Sequence, residues 1–118
     1  MGTELHPEQL EEDLYRTLAR LRDLRASLYS PEPADPVAFE AVVDQTAAIL
    51  RDLDSTNFDA SDLGARLAWG AYELHLMAEA FRDLRVAWFV APVRVRLLGA
   101  EIRFRSDQLQ ALGFQLPG

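Results

Sequence analysis

The 118-residue chain contains no cysteine and no lysine. Without cysteine there is no disulfide, no thiolate nucleophile, no thiolate-bound metal and no iron–sulfur cluster. Without lysine there is no Schiff-base amine and no phosphate-loop lysine, and all 12 basic residues are arginine. Histidine is nearly absent as well: His6 and His75 are the only two. One chain therefore cannot assemble a three-histidine zinc site, and a Ser-His-Asp triad would have to draw its base from this pair. No glycine-rich phosphate loop occurs. The longest apolar run, Val86 to Val93, is eight residues with Pro92 inside it, whereas a membrane-spanning helix needs about 20. The start, Met1 to Pro7, has neither the basic stretch nor the apolar run of a secretory signal. The expectation is a soluble, cytoplasmic protein without a membrane partner and without a cofactor.

What remains is leucine and alanine, 19 and 17 residues, both strong helix formers. Apolar residues make up 49% and charged residues 26%, proportions that suit a folded domain with one core. Residues 1–118 are read as a single helical domain. Charge is divided unevenly. Residues 1–62 carry 14 acidic and 5 basic side chains, net −9; residues 63–118 carry 5 and 7, net +2; together they give the chain its −7. An acidic total of this size argues against broad nucleic-acid affinity, which needs clustered positive charge. The arginines of the second half are expected to pair with the acidic half of the same chain or of a partner copy.

The pattern predicts an all-α, four-helix bundle-like fold with helices over about 7–29, 36–54, 61–90 and 92–112. Pro7 and Pro36 are suited to first helical turns, Asp35 to a cap, and Asp59 or Ser61 to the cap of the third helix. Leu10, Leu14, Leu18, Leu21, Leu24 and Leu28 form one stripe at helical spacing, and Phe39, Val42, Val43, Thr46, Ile49, Leu50 and Leu53 form another. The clearest signal lies further on. From Leu63 to Leu112 a seam runs in strict steps of four and three, through Leu67, Gly70, Leu74, Met77, Phe81, Leu84, Trp88, Ala91, Val95, Leu98, Ile102, Arg105 and Leu109. Pro92 breaks it into two helices, and Gly113 is placed to cap the last. A β-hairpin at 93–105 is the alternative, because Val93-Arg94-Val95-Arg96-Leu97 and Ile102-Arg103-Phe104-Arg105 alternate with period two around Gly99-Ala100.

Three kinds of candidate site emerge. The third helix is apolar around most of its circumference, and Trp69, Tyr72 and Leu76 make a second stripe beside the main seam; with Trp88 they are the candidate interface of a homodimer or of a contact with a helical protein partner. Arg94, Arg96, Arg103 and Arg105 are the anion-binding candidates, and would be denser on a hairpin than on a helix. His75, Glu79 and Asp83 share one helical face at four-residue spacing and are the metal candidates, although no Glu lies three residues before a histidine as carboxylate-bridged metal sites favour. No catalytic constellation stands out. The first reading is a small acidic helical interaction or assembly module, homodimeric and acting by helix packing. The alternatives are a metal-dependent nucleotide or phosphoester hydrolase using Glu11, Glu12, Glu73, Glu79 and Asp83, and an accessory nucleic-acid-binding protein acting through the arginines of 94–105.

Overall fold

The computed structural model describes residues 6–55 and 61–116. Four helices follow one another: α1 (Pro7–Ser27), α2 (Pro36–Ser55), α3 (Asp62–Ala87) and α4 (Pro92–Ala111). All four match the expected helices, three of them ending earlier than the sequence suggests. No strand occurs among the described residues, and 93–105 lie within α4, so the hairpin alternative is excluded. Period-two alternation of valine and arginine is outweighed here by an inward edge at helical spacing, with Ile102 buried and Val95 and Leu98 partly buried.

The ends follow from local chemistry. Pro7 opens α1 behind His6, whose side chain supplies no cap. At α2 the Asp35 carboxylate accepts from the Val37 N–H at 3.0 Å. At α3 the Ser61 hydroxyl accepts from the Gly64 N–H at 3.2 Å, satisfying a donor with no partner inside the helix; Asp59, the other candidate cap, lies outside the described residues. α1 ends at Ser27 rather than 29 because the Ser27 hydroxyl donates to the Leu24 carbonyl at 2.6 Å and accepts from the Ala34 N–H at 3.1 Å, tying down the turn. α3 ends at Ala87 rather than 90. Pro92 forces the residue before it out of the α region, and Ala91 accordingly sits at φ −143°, ψ 78°. The last helix closes on Gly113 at φ +92°. There the Gly113 N–H donates to Gln110 and the Phe114 N–H to Leu109, a Schellman turn that needs the left-handed conformation glycine adopts without strain.

α3 is the central element. Its 26 residues run about 39 Å at 1.5 Å per residue, most of the 46 Å long dimension of the molecule. α1, α2 and α4 all pack on it, α1 also touches α2, and α4 packs closely on α3 alone. The five α1 leucines and Leu28 just after them are all buried, each contributing about 1.5–3 kcal/mol relative to exposure. In α2, Phe39, Val42, Val43 and Thr46 are buried, and Ile49, Leu50 and Leu53 partly so. The long seam is buried from Leu67 through Leu84 and at Ile102 and Leu109; its first member, Leu63, is exposed. No described helix is long and apolar enough to cross a membrane.

Candidate functional site

α3 is covered by α1, α2 and α4, and α4 by α3 alone, yet both helices keep exposed apolar side chains. On α3, Trp69 and Tyr72 are 59% and 46% exposed, and their rings meet edge to face at 6.1 Å. On α4, Leu97 is 67% and Phe104 50% exposed. With Val93, Ala100 and Ala111 they follow a second four-three register, interrupted by Asp107, on the side of α4 opposite Ile102. The sequence reading recognised one seam and missed this one, although its spacing was there to be counted. Leu76 and Leu97 line a shared cavity of about 410 Å³ between α3 and α4, together with Arg82, Asp83, Arg94 and Glu101. Both helices therefore carry exposed apolar side chains, and Val86, Phe89 and Val90 are exposed around their connection.

Trp88 is not part of this surface. It turns toward α1, where its ring meets Tyr29 edge to face at 5.3 Å, and it lines a trough between α1 and α4. The four interface candidates thus divide into Trp69, Tyr72 and Leu76 on one side and Trp88 on another.

The four candidate arginines also diverge. Arg105 is drawn inward, donating to Glu73 at 3.0 Å and to Glu101 at 2.9 Å. Burial works against its charge, but the hydrogen bonds and charges of the two carboxylates outweigh that and raise its pKa above the ordinary guanidinium value. Arg94 lines the α3–α4 cavity, Arg103 lines the α1–α4 trough, and Arg96 is exposed. Among the described residues none of these three has an acidic partner within 4.0 Å. The two halves of the chain are instead joined by Arg66 to Glu11 at 3.0 Å and Arg82 to Glu40 at 3.6 Å.

The carboxylate candidates are each occupied by a cation. Glu11 holds Arg66, Glu12 holds Arg16, Glu73 holds Arg105, and Asp83 holds Arg82 at 3.2 Å. Glu79 lies 3.5 Å from His75 Nε2 and 4.0 Å from Arg82. The other ring nitrogen, His75 Nδ1, is 2.8 Å from the hydroxyl of Thr46, which itself donates to the Val43 carbonyl at 3.0 Å, so this nitrogen receives no hydroxyl proton while that bond persists. Arg82 carries a raised pKa: burial opposes its charge, but the hydrogen bond to Asp83 and the charges of Asp83, Glu40 and Glu79 prevail. His75, Glu79 and Asp83 are thus parts of a belt of polar contacts in which the His75–Thr46 hydrogen bond and the Arg82–Glu40 ion pair join α3 to α2. Among the described residues no three His, Asp or Glu side chains are grouped to hold a metal ion.

Comparison with protein-family models, with characterised proteins and with solved structures finds no match for this chain, so the reading of its function rests on the residues themselves.

Proposed function

We propose that this chain is a helical assembly module that forms a homodimer through the outer face of α3 and α4, with Trp69 and Tyr72 at the centre of the contact. The observation that carries this reading is the Trp69–Tyr72 pair, stacked edge to face on a helix already buried on three sides by its own chain. Large aromatics held rigid at the surface give contact area at little entropic cost, and contiguous exposed apolar patches mark interaction sites. Leu97 and Phe104 on the neighbouring helix widen the patch. Arg94 at its edge is available to a carboxylate of the partner copy and would fix register more than affinity. The pairing of each candidate carboxylate with an arginine weighs against the hydrolase reading, and the divergence of the arginines weighs against nucleic acid.

Light scattering after gel filtration tests this. The native chain is expected to elute as a dimer at tens of micromolar. The Trp69→Ser and Tyr72→Ser double variant is expected to elute as a monomer with its melting temperature at high dilution unchanged. A native chain that stays monomeric at that concentration overturns the proposal.

A further inference from the structure

α1 and α4 both lean on α3 but do not pack closely on each other. Between them runs a trough made of two cavities of about 470 and 160 Å³ that share Arg25, Phe81, Ile102, Ser106 and Leu116. Its floor is apolar. Its rims carry Arg25 on α1 and Arg103 on α4, and among the described residues neither has an acidic partner within 4.0 Å, in a chain of net charge −7.

Two features say what fits there. The first is the size of the trough and what borders it. Leu116 lines both cavities, in a tail held by Phe114 against Tyr15 and by the Gln115 N–H donating to the Tyr15 hydroxyl at 3.1 Å. The Tyr29–Trp88 pair borders the larger one. From Leu18 to Tyr29 the α1 rim measures about 17 Å at 1.5 Å per residue. A trough of about 470 and 160 Å³ is small for a helix about 10–12 Å wide, whereas small ligands occupy sites of this size.

The second feature is Gly99. It lies in the interior of α4 and lines the trough, and a Cβ built on it would meet nothing within 4 Å. Glycine inside a helix costs about 1 kcal/mol relative to alanine. Among the described residues no packing contact requires glycine here. A long side chain at this position would take up space along the trough that it lines.

We infer that the α1–α4 trough binds an amphipathic anion, a linear apolar chain lying on Phe81, Leu84 and Ile102 with its carboxylate or phosphate head held between Arg25 and Arg103. The guanidinium fork suits either head group. This site is on a different side of the molecule from the proposed dimer face, and its occupancy does not depend on dimer formation.

Calorimetry on the full chain with dodecanoate and with dodecyl phosphate, each below its micellar concentration, tests the assignment, and the stronger of the two identifies the head group. Saturable binding of one molecule per chain is expected. Arg25→Gln and Arg103→Gln, both at exposed positions, are each expected to weaken it about tenfold or more. Gly99→Leu fills the trough and is expected to abolish binding while the melting temperature holds or rises. Dodecyltrimethylammonium, with the same tail and opposite charge, is expected not to saturate. The assignment is overturned by absence of saturable binding of either anion, by binding that Gly99→Leu leaves unchanged, by equal binding of the cation, or by saturation only with an acidic helical peptide.

Discussion

The ring of Phe114 lies where a side chain at Gly70 would begin: a Cβ built on Gly70 would fall 2.5 Å from Phe114 Cε2 and 2.6 Å from Cζ. The tail after α4 thus docks directly onto the backbone of α3. The ring is buried, meets Tyr15 at 5.8 Å, and has the Arg66 guanidinium 4.1 Å over its face. Arg66 in turn donates to the carbonyls of Leu112 at 2.6 Å and Gly113 at 3.2 Å. One seam position is glycine because an aromatic ring occupies the space that leucine takes elsewhere along the register.

Gly70→Ala is therefore expected to destabilise the fold by about 1–3 kcal/mol, the range for overpacking a filled core, although alanine favours the helix by about 1 kcal/mol. Gly99→Ala, in open space, is expected to stabilise by about 0.5–1 kcal/mol. Urea unfolding of the two variants side by side checks the opposite signs. Phe114→Leu is expected to relieve most of the Gly70→Ala cost, a coupling that a double-mutant cycle measures.

Glu73 and Arg105 differ in what each loses when the other is removed. Glu73 is 8% exposed and, among the described residues, has Arg105 as its sole ion-pair partner, while Arg105 also holds Glu101. Arg105→Leu leaves a buried carboxylate without a cation and is expected to cost about 2–4 kcal/mol; Glu73→Leu, which leaves Arg105 its second carboxylate, is expected to cost less, about 1 kcal/mol. The paired change is expected to lie near the milder single variant. Because the pKa of Arg105 is raised in the fold, its contribution is fully present below the unfolded guanidinium value and is lost only as pH rises through the higher folded one. Thermal unfolding at about pH 7 and pH 10 is expected to show the same cost for Arg105→Leu.

Ser61 caps the central helix, so its loss is felt by every element that packs there. Ser61→Ala is expected to cost about 1 kcal/mol, read as a shift in the denaturation midpoint with an unchanged slope. Ser61→Asp is expected to retain the cap.

How much of this was legible beforehand depends on the range of the interaction concerned. Helix identity is a local property, and the leucine stripe of α1, the prolines that open α1 and α2 and the break at Pro92 all read correctly. The four-three seam also identified most of the core, because a register kept through fifty residues has no cause other than packing. Arg105, the one charged seam member, proved to be paired in place rather than misplaced. What the sequence concealed was which side of a doubly apolar helix its own chain would cover. Trp88 and Trp69 are both aromatic members of α3 and its end, yet one turns to Tyr29 and the other to solvent. Only the positions of α1 and α4 around the axis decide that. The trough was hidden for the same reason, since its walls come from residues about eighty positions apart. Gly99 was the one signal available, a glycine within a helical register, and it also fits a hairpin turn.

The most direct test of the central claim, that α3 and α4 present more apolar surface than one copy covers, is sedimentation equilibrium of the native chain from about 1 to 100 micromolar. The account predicts a reversible monomer–dimer equilibrium with the mass approaching twice 13.3 kDa at the upper end, abolished by Trp69→Ser with Tyr72→Ser. A mass of 13.3 kDa throughout, or a dimer that the double variant leaves intact, would contradict it.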